Sequence, residues 1–142
     1  MAKIREVFIM LILIGILAIA ATNTNAHPLD LAGTSWSLVA YGSTSHPTPA
    51  VSGVATTLTF GIDGKISGSL GCNTFSASYT IQGGKIAFSQ LMATLMSCET
   101  PRMAQETAAF KVLNGTVSYK RDGSTLTLTS STGDAVLILV QK

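Results

Sequence analysis

Charge is scarce in this chain. Asp, Glu, Lys and Arg together make up 11% of 142 residues, and no basic run occurs. That excludes the electrostatic footprint of a nucleic-acid binder. Histidine occurs twice, as His27 and His46, and cysteine twice, as Cys72 and Cys98. No zinc ligand set, no Gly-x-Ser-x-Gly elbow and no phosphate-cradling glycine loop is present. The cysteines are too far apart for the C-x-x-C arrangement that redox catalysis favours. Internal repeats and interdomain linkers are also missing, so a single folded domain is the expectation.

The one long apolar run is N-terminal. Lys3 and Arg5 precede Val7 to Ala21, and Thr24-Asn25-Ala26 then places small residues at −3 and −1. This is the pattern of a cleaved secretory signal over residues 1–26, leaving 27–142 as the domain; Ala18-Ile19-Ala20 is a second possible cleavage site. As a helix the run reaches only about 22 Å, short of the roughly 30 Å hydrocarbon core, so it suits export better than anchoring. No cysteine follows it to carry a bacterial lipid anchor. The expected location is the periplasm or the outside of the cell, with membrane contact only through an uncleaved signal. Without that segment the chain holds seven Lys and Arg against six Asp and Glu, a net +1.

What remains is rich in Ser and Thr and alternates like strands. Thr34–Ala40 reads as a first strand with Trp36, Leu38 and Ala40 on one face, and Gly42–Pro49 as a loop. Leu58–Phe60 and Lys65–Ser67 flank Asp63-Gly64, a hairpin turn whose central residues both tolerate positive φ. Ser76–Gln82 and Lys85–Phe88 follow, joined by Gly83-Gly84. Thr116–Lys120, Ser124–Ser130 and Ala135–Val140 complete eight strands. Between them Thr100 serves as a helix N-cap and Pro101 as N1, and the helix runs to Leu113 or Asn114 and stops at Gly115. Its wheel places Met103, Phe110 and Leu113 together, with Ala104, Ala108, Ala109 and Val112 around most of the rest. A helix so apolar is expected to be enclosed by other structure. The fold class is α+β: a strongly curved, barrel-like antiparallel sheet of about eight strands with one main helix packed against it.

Gly71-Cys72-Asn73 with Phe75-Ser76 and Ser78-Tyr79, then Met96 and Cys98, then Met103 and Glu106 with Phe110 and Leu113, resembles the META domain (HslJ-like) family. The similarity runs from Gly33-Thr34-Ser35-Trp36 to the last strand. It implies a curved sheet around a helix, an envelope location, in some members a link to heat shock, and no settled biochemical activity. Two features depart from the family: many members carry a lipid-anchor cysteine, and Ala77 stands where glycine is common.

Two cysteines in an exported chain favour a disulfide. Closing the 27-residue loop is worth roughly 3.5 kcal/mol in the chain-entropy model. Asn73 either lies at the lip of a pocket or, the preferred reading, holds a turn by hydrogen bonds to backbone. Glu106 falls on the apolar side of the wheel, where a carboxylate is placed as general acids are. Structural satisfaction, by an i,i+4 pair with Arg102 or by loop backbone near Cys98, is preferred because no second acid, base or metal accompanies it. His27 and His46 could chelate copper, a weak reading for two residues on loose segments. Asn114-Gly115-Thr116 is a glycosylation pattern only in a eukaryotic source. Neither a metal nor a cofactor is expected.

These residues point to a monomeric, non-enzymatic envelope module acting through protein contacts, with a stress-related role implied by the resemblance. The alternative is a small barrel carrying an apolar ligand or lipid, with Phe88, Met92, Met96, Met103 and Phe110 lining its cavity or simply filling its core. The export reading makes a direct prediction. N-terminal sequencing of the protein recovered from the envelope should begin at His27, or at Ala21; an intact Met1 would remove the signal-peptide reading.

Overall fold

The structure, a computed structural model, describes residues 31–142. The signal segment, its cleavage sites and His27 lie outside the described residues. In chain order the elements are β1 (Thr34–Ser43), β2 (Pro47–Pro49), β3 (Thr57–Phe60), β4 (Lys65–Ser69), β5 (Thr74–Gln82), β6 (Lys85–Phe88) and β7 (Met92–Ala93). Then come helix α1 (Thr100–Val112), β8 (Thr116–Asp122), β9 (Thr125–Thr129) and β10 (Ala135–Gln141). All pairings are antiparallel. Eight strands close a barrel in the order β1-β3-β4-β5-β6-β8-β9-β10, and β10 returns to β1 along a register from Trp36 opposite Gln141 to Ser43 opposite Ala135. The expected curved sheet with one helix is therefore what forms, closed rather than merely curved. Two very short strands escaped the sequence reading: β2, placed in the Gly42–Pro49 loop, and β7.

Local differences have local causes. The register of β1 shifts between Leu38 and Ala40. This β-bulge leaves Val39 as the extra, unpaired residue and inverts the inside–outside alternation beyond it. Trp36 and Leu38 are buried as expected, but Tyr41 rather than Ala40 packs on the core. At the β3–β4 hairpin only Gly64 takes a positive φ, 77°, while Asp63 does not. The connection is a four-residue loop closed by the Gly61 N–H donating to the Lys65 carbonyl at 2.7 Å.

The barrel interior is occupied by one contiguous cluster. Trp36, Leu58, Phe60, Ile66, Ile86, Leu126, Leu128 and Leu139 are fully buried in it. Phe60 and Tyr79 meet edge to face at 5.1 Å. The Tyr79 hydroxyl donates to the Gly61 carbonyl at 2.8 Å, and burial, then the Asp63 charge, push its pKa up.

Helix α1 closes the barrel end at which β1, β4 and β9 finish and β5, β8 and β10 begin. Its first residue is Thr100; Glu99 occupies the cap position and makes no side-chain capping bond, so the expected Thr100 cap is not formed. Pro101 sits in the first turn, one position later than the expected N1 because the cap is Glu99. The wheel reading needs a larger correction. The buried face carries Gln105, Glu106, Ala109 and Val112, with Leu113 just beyond, whereas Met103 and Phe110 are half-buried and Ala104 is exposed. The helix is not enclosed; it lays one face on the barrel end. Hydrophobicity alone would turn Phe110 inward, but two polar side chains with well-placed partners set the rotation instead. Phe110 leans on Phe75, ring centroids 5.4 Å apart. Near the C-terminal end, Lys111 reaches Asp134 at 3.7 Å. The hydroxyls of Thr132 and Ser130 hold the Asp134 carboxyl down at about 2.

Candidate functional site

Between β4 and β5 the chain passes directly beneath α1. Gly71 is what permits this. A Cβ there would lie 2.5 Å from the Arg102 carbonyl oxygen and 2.8 Å from Glu106 Cβ, so only a hydrogen fits and helix backbone rests on loop backbone. Arg102, Gln105 and Glu106, spaced three and four apart, share the face that meets the loop. Arg102 Nε donates to the Gly71 carbonyl at 2.9 Å. Gln105 Nε2 donates to the Leu70 carbonyl at 2.7 Å, while its Oε1 accepts from the Val51 N–H at 2.7 Å. Glu106 Oε2 accepts from the backbone N–H of Cys72 at 2.8 Å and of Asn73 at 2.5 Å. Its Oε1 accepts from Asn73 Nδ2 at 2.6 Å.

Asn73 carries the connection onward. Its Oδ1 accepts from the Met96 N–H at 2.6 Å and the Thr94 hydroxyl at 2.9 Å, and its Nδ2 also donates to the Met96 carbonyl at 3.3 Å. The amide thus pairs with Met96 as a neighbouring strand would, and all four of its hydrogen-bonding positions are used. Cys72 and Cys98 are bonded, with Cα atoms 5.9 Å apart. The segment from Thr94 to Cys98 is therefore fixed at one end by β7, in the middle by Asn73, and at the other end by the disulfide.

Glu106 is 4% exposed, and the ion pairs formed among the described residues do not include it. Three N–H donors take the place of a counter-ion, as oriented backbone amides can. The proposed i,i+4 pair with Arg102 is not made; Arg102 instead approaches Glu99 at 3.9 Å. The loop backbone that satisfies Glu106 is at Cys72 and Asn73, on the other side of the disulfide from Cys98. Asn73 lines the pocket and does hydrogen-bond backbone, but that backbone belongs to Met96, 23 residues on, and not to a turn of its own.

That pocket is an open groove of about 580 Å³ between the 91–97 segment and α1, lined by Met96, Met103, Phe110, Leu91, Leu95 and Ala93 with Asn73, Thr94, Ser97 and Glu106. Glu106 is the only ionisable side chain in it. The five residues expected to share a cavity divide. Met96, Met103 and Phe110 line the groove, Phe88 is in the barrel core at 7% exposure, and Met92 stands outside both at 74%. The reading of one shared apolar cavity or core is corrected accordingly: the barrel interior is taken by other side chains. Sequence reasoning passed over Leu95, which is 98% exposed. Its signal was available in the stretch Ser89–Ser97, apolar in part yet free of charge, proline and strand alternation. His46 lies in the exposed β1–β2 turn, hydrogen-bonded to Ser45 at 3.2 Å. Among the described residues no group of three or more His, Cys, Asp or Glu could hold a metal.

Comparison with known proteins gives one family. The META domain profile matches residues 29–142. No curated protein matches the chain. Among solved structures, one from Burkholderia xenovorans, determined by NMR, is 27% identical and superposes with a TM-score of 0.66, covering 79% of this chain and 83% of its own. A second NMR structure shares the fold at 21% identity and a TM-score of 0.63, over 80% and 93% of the two chains. A DUF4847 family protein from Bacteroides vulgatus shares it at 15% identity and 0.57, over 78% and 93%.

The contact at Gly71 yields a stability prediction. Gly71→Ala must lift α1 off the loop and should cost about 2–4 kcal/mol in urea unfolding. Replacing Cys72 and Cys98 together by Ser should cost about 3 kcal/mol. Gly83→Ala, where the added methyl meets nothing within 4 Å, should cost about 1 kcal/mol for its left-handed backbone. Equal losses at Gly71 and Gly83 would contradict the close approach.

Proposed function

Because the chain belongs to the META domain family, we propose that it is an exported, non-enzymatic module of the cell envelope that acts by binding another protein, in a stress-related setting. The observation that carries this reading is Leu95, a leucine 98% exposed on a segment that is tied down rather than loose. Met92 and Met96, 74% and 53% exposed, stand beside it in sequence. Holding large apolar side chains in water has a cost, and clustered exposed apolar residues mark interaction sites. The disulfide is compatible with an oxidising compartment. The carrier reading has less support, because the barrel interior that would hold a ligand is occupied by Trp36, Phe60 and their neighbours. Among the described residues lining the groove, Glu106 has no base or second acid beside it, and the hydroxyls of Thr94 and Ser97 have no base there to activate them.

The test is site-specific photo-cross-linking in the intact envelope. A photoreactive residue at position 95 should give a discrete higher-mass adduct, while one at position 120, exposed on β8, should give none. Leu95→Ser should abolish function-linked adducts at neighbouring position 92 yet change stability by no more than about 0.5 kcal/mol. No adduct at 95, or the same adducts at both positions, would contradict the module.

A further inference from the structure

The Leu95 segment is also a sheet edge. β7 pairs, among the described strands, with β5 alone, Ser76 opposite Met92 and Phe75 opposite Ala93. The Thr94 N–H donates to the Thr74 carbonyl at 3.1 Å, which makes Thr74–Thr94 and Ser76–Met92 the hydrogen-bonded pairs. Antiparallel alternation then turns the main-chain N–H and C=O of Ala93, and two residues on of Leu95, away from β5. They form a short open edge beside the groove.

Natural sheets protect such edges with proline or charge. The strand that ends the sheet path does so: β2 is Pro-Thr-Pro, whose prolines lack the N–H a further strand would need. Residues 89–97 carry no proline and no charge, and Asn73 and the disulfide hold the edge extended instead of letting it fold away.

We propose that this edge receives an extended, uncharged peptide segment of a partner protein as an added antiparallel strand. The inference rests on the interaction-module reading and specifies what that module recognises. Ala93 and Leu95 supply the main-chain pairing, and alternate side chains of the guest settle among Met96, Met103 and Phe110. The groove selects against charge. Glu106, the one carboxylate among the described residues lining it, is 4% exposed and already held by three N–H donors, so a charged guest side chain would lose water without reaching an exposed partner. From Ala93 to Ser97 the edge spans about 13 Å at roughly 3.3 Å per residue. A guest of about five residues covers it, which falls well short of the roughly 1,200–2,000 Å² a stable interface between two copies would bury.

Fluorescence anisotropy on the natively produced protein tests this. The probe is a fluorescein-labelled, end-blocked heptapeptide of alternating valine and threonine. It is compared with two versions N-methylated along one backbone edge or the other. Saturable binding of the parent, at least a tenfold loss with one methylated version and none with the other, is the expected result. Ala93→Pro, which removes an outward N–H at an edge position where proline is tolerated, should cause a similar loss with an unchanged melting temperature. If both methylated peptides bind like the parent, the contact is apolar only and strand addition is wrong, while the module tested at position 95 stands. Absence of peptide binding overturns the proposal. So does sedimentation showing self-association that Ala93→Pro abolishes, since the occupant would then be a second copy.

Discussion

The carboxylate of Glu106 is the point on which the helix, the β4–β5 connection and the groove all depend. It is buried, it bears three N–H donors, and those donors come from Cys72 and Asn73. Burying an ion without a counter-ion is expensive unless its lone pairs are occupied, and here three of about four are. Removing such an acceptor leaves several buried N–H groups unpaired, each worth about 1–3 kcal/mol. The same cluster therefore decides the rotation of α1, since Gln105 and Glu106 can reach the loop only when Phe110 is rolled toward the rim. A purely apolar interface between helix and barrel would bury Phe110 and leave no groove.

From that one contact a chain of positions follows. Glu106 fixes Asn73, Asn73 pairs with the backbone of Met96, and Met96 with Cys98 fixes the segment that carries Leu95. The disulfide and the amide act on the same short stretch from opposite ends. Their joint effect is to hold an apolar, uncharged segment extended in solvent, a state that such a sequence would otherwise leave by collapsing onto the barrel. Exposure of Leu95 is thus a product of polar interactions deep beneath it.

Much of the fold was legible because strands announce themselves by alternation. Trp36, Leu58, Phe60, Ile66 and Leu126 fall on the inner face as a period of two requires, and Gly83-Gly84 and Gly115 mark real breaks. Three things were not legible. The bulge at Val39 inverts the second half of β1, and nothing in Leu38-Val39-Ala40 distinguishes it from a regular strand. β2 and β7 are too short for any periodicity to register. Most importantly, a helical wheel counts apolar residues and cannot foresee that Gln105 and Glu106 will find backbone partners on a loop some 35 residues earlier in the chain. The same limit hid the site. Asn73 and Glu106 each stood out singly, but their contact is long-range, and Leu95 looks like ordinary core until its neighbours are known to be held outward.

The coupling between the Asn73 and Glu106 side chains holds the helix, the loop and the groove together. A double-mutant cycle with Asn73→Ala and Glu106→Ala, read by urea unfolding, measures it most directly. The prediction is a favourable interaction of at least about 1.5 kcal/mol, because the two residues share hydrogen bonds in one buried network. Losses that add to within about 0.5 kcal/mol would mean the residues act independently, and the central role given to their contact would be wrong.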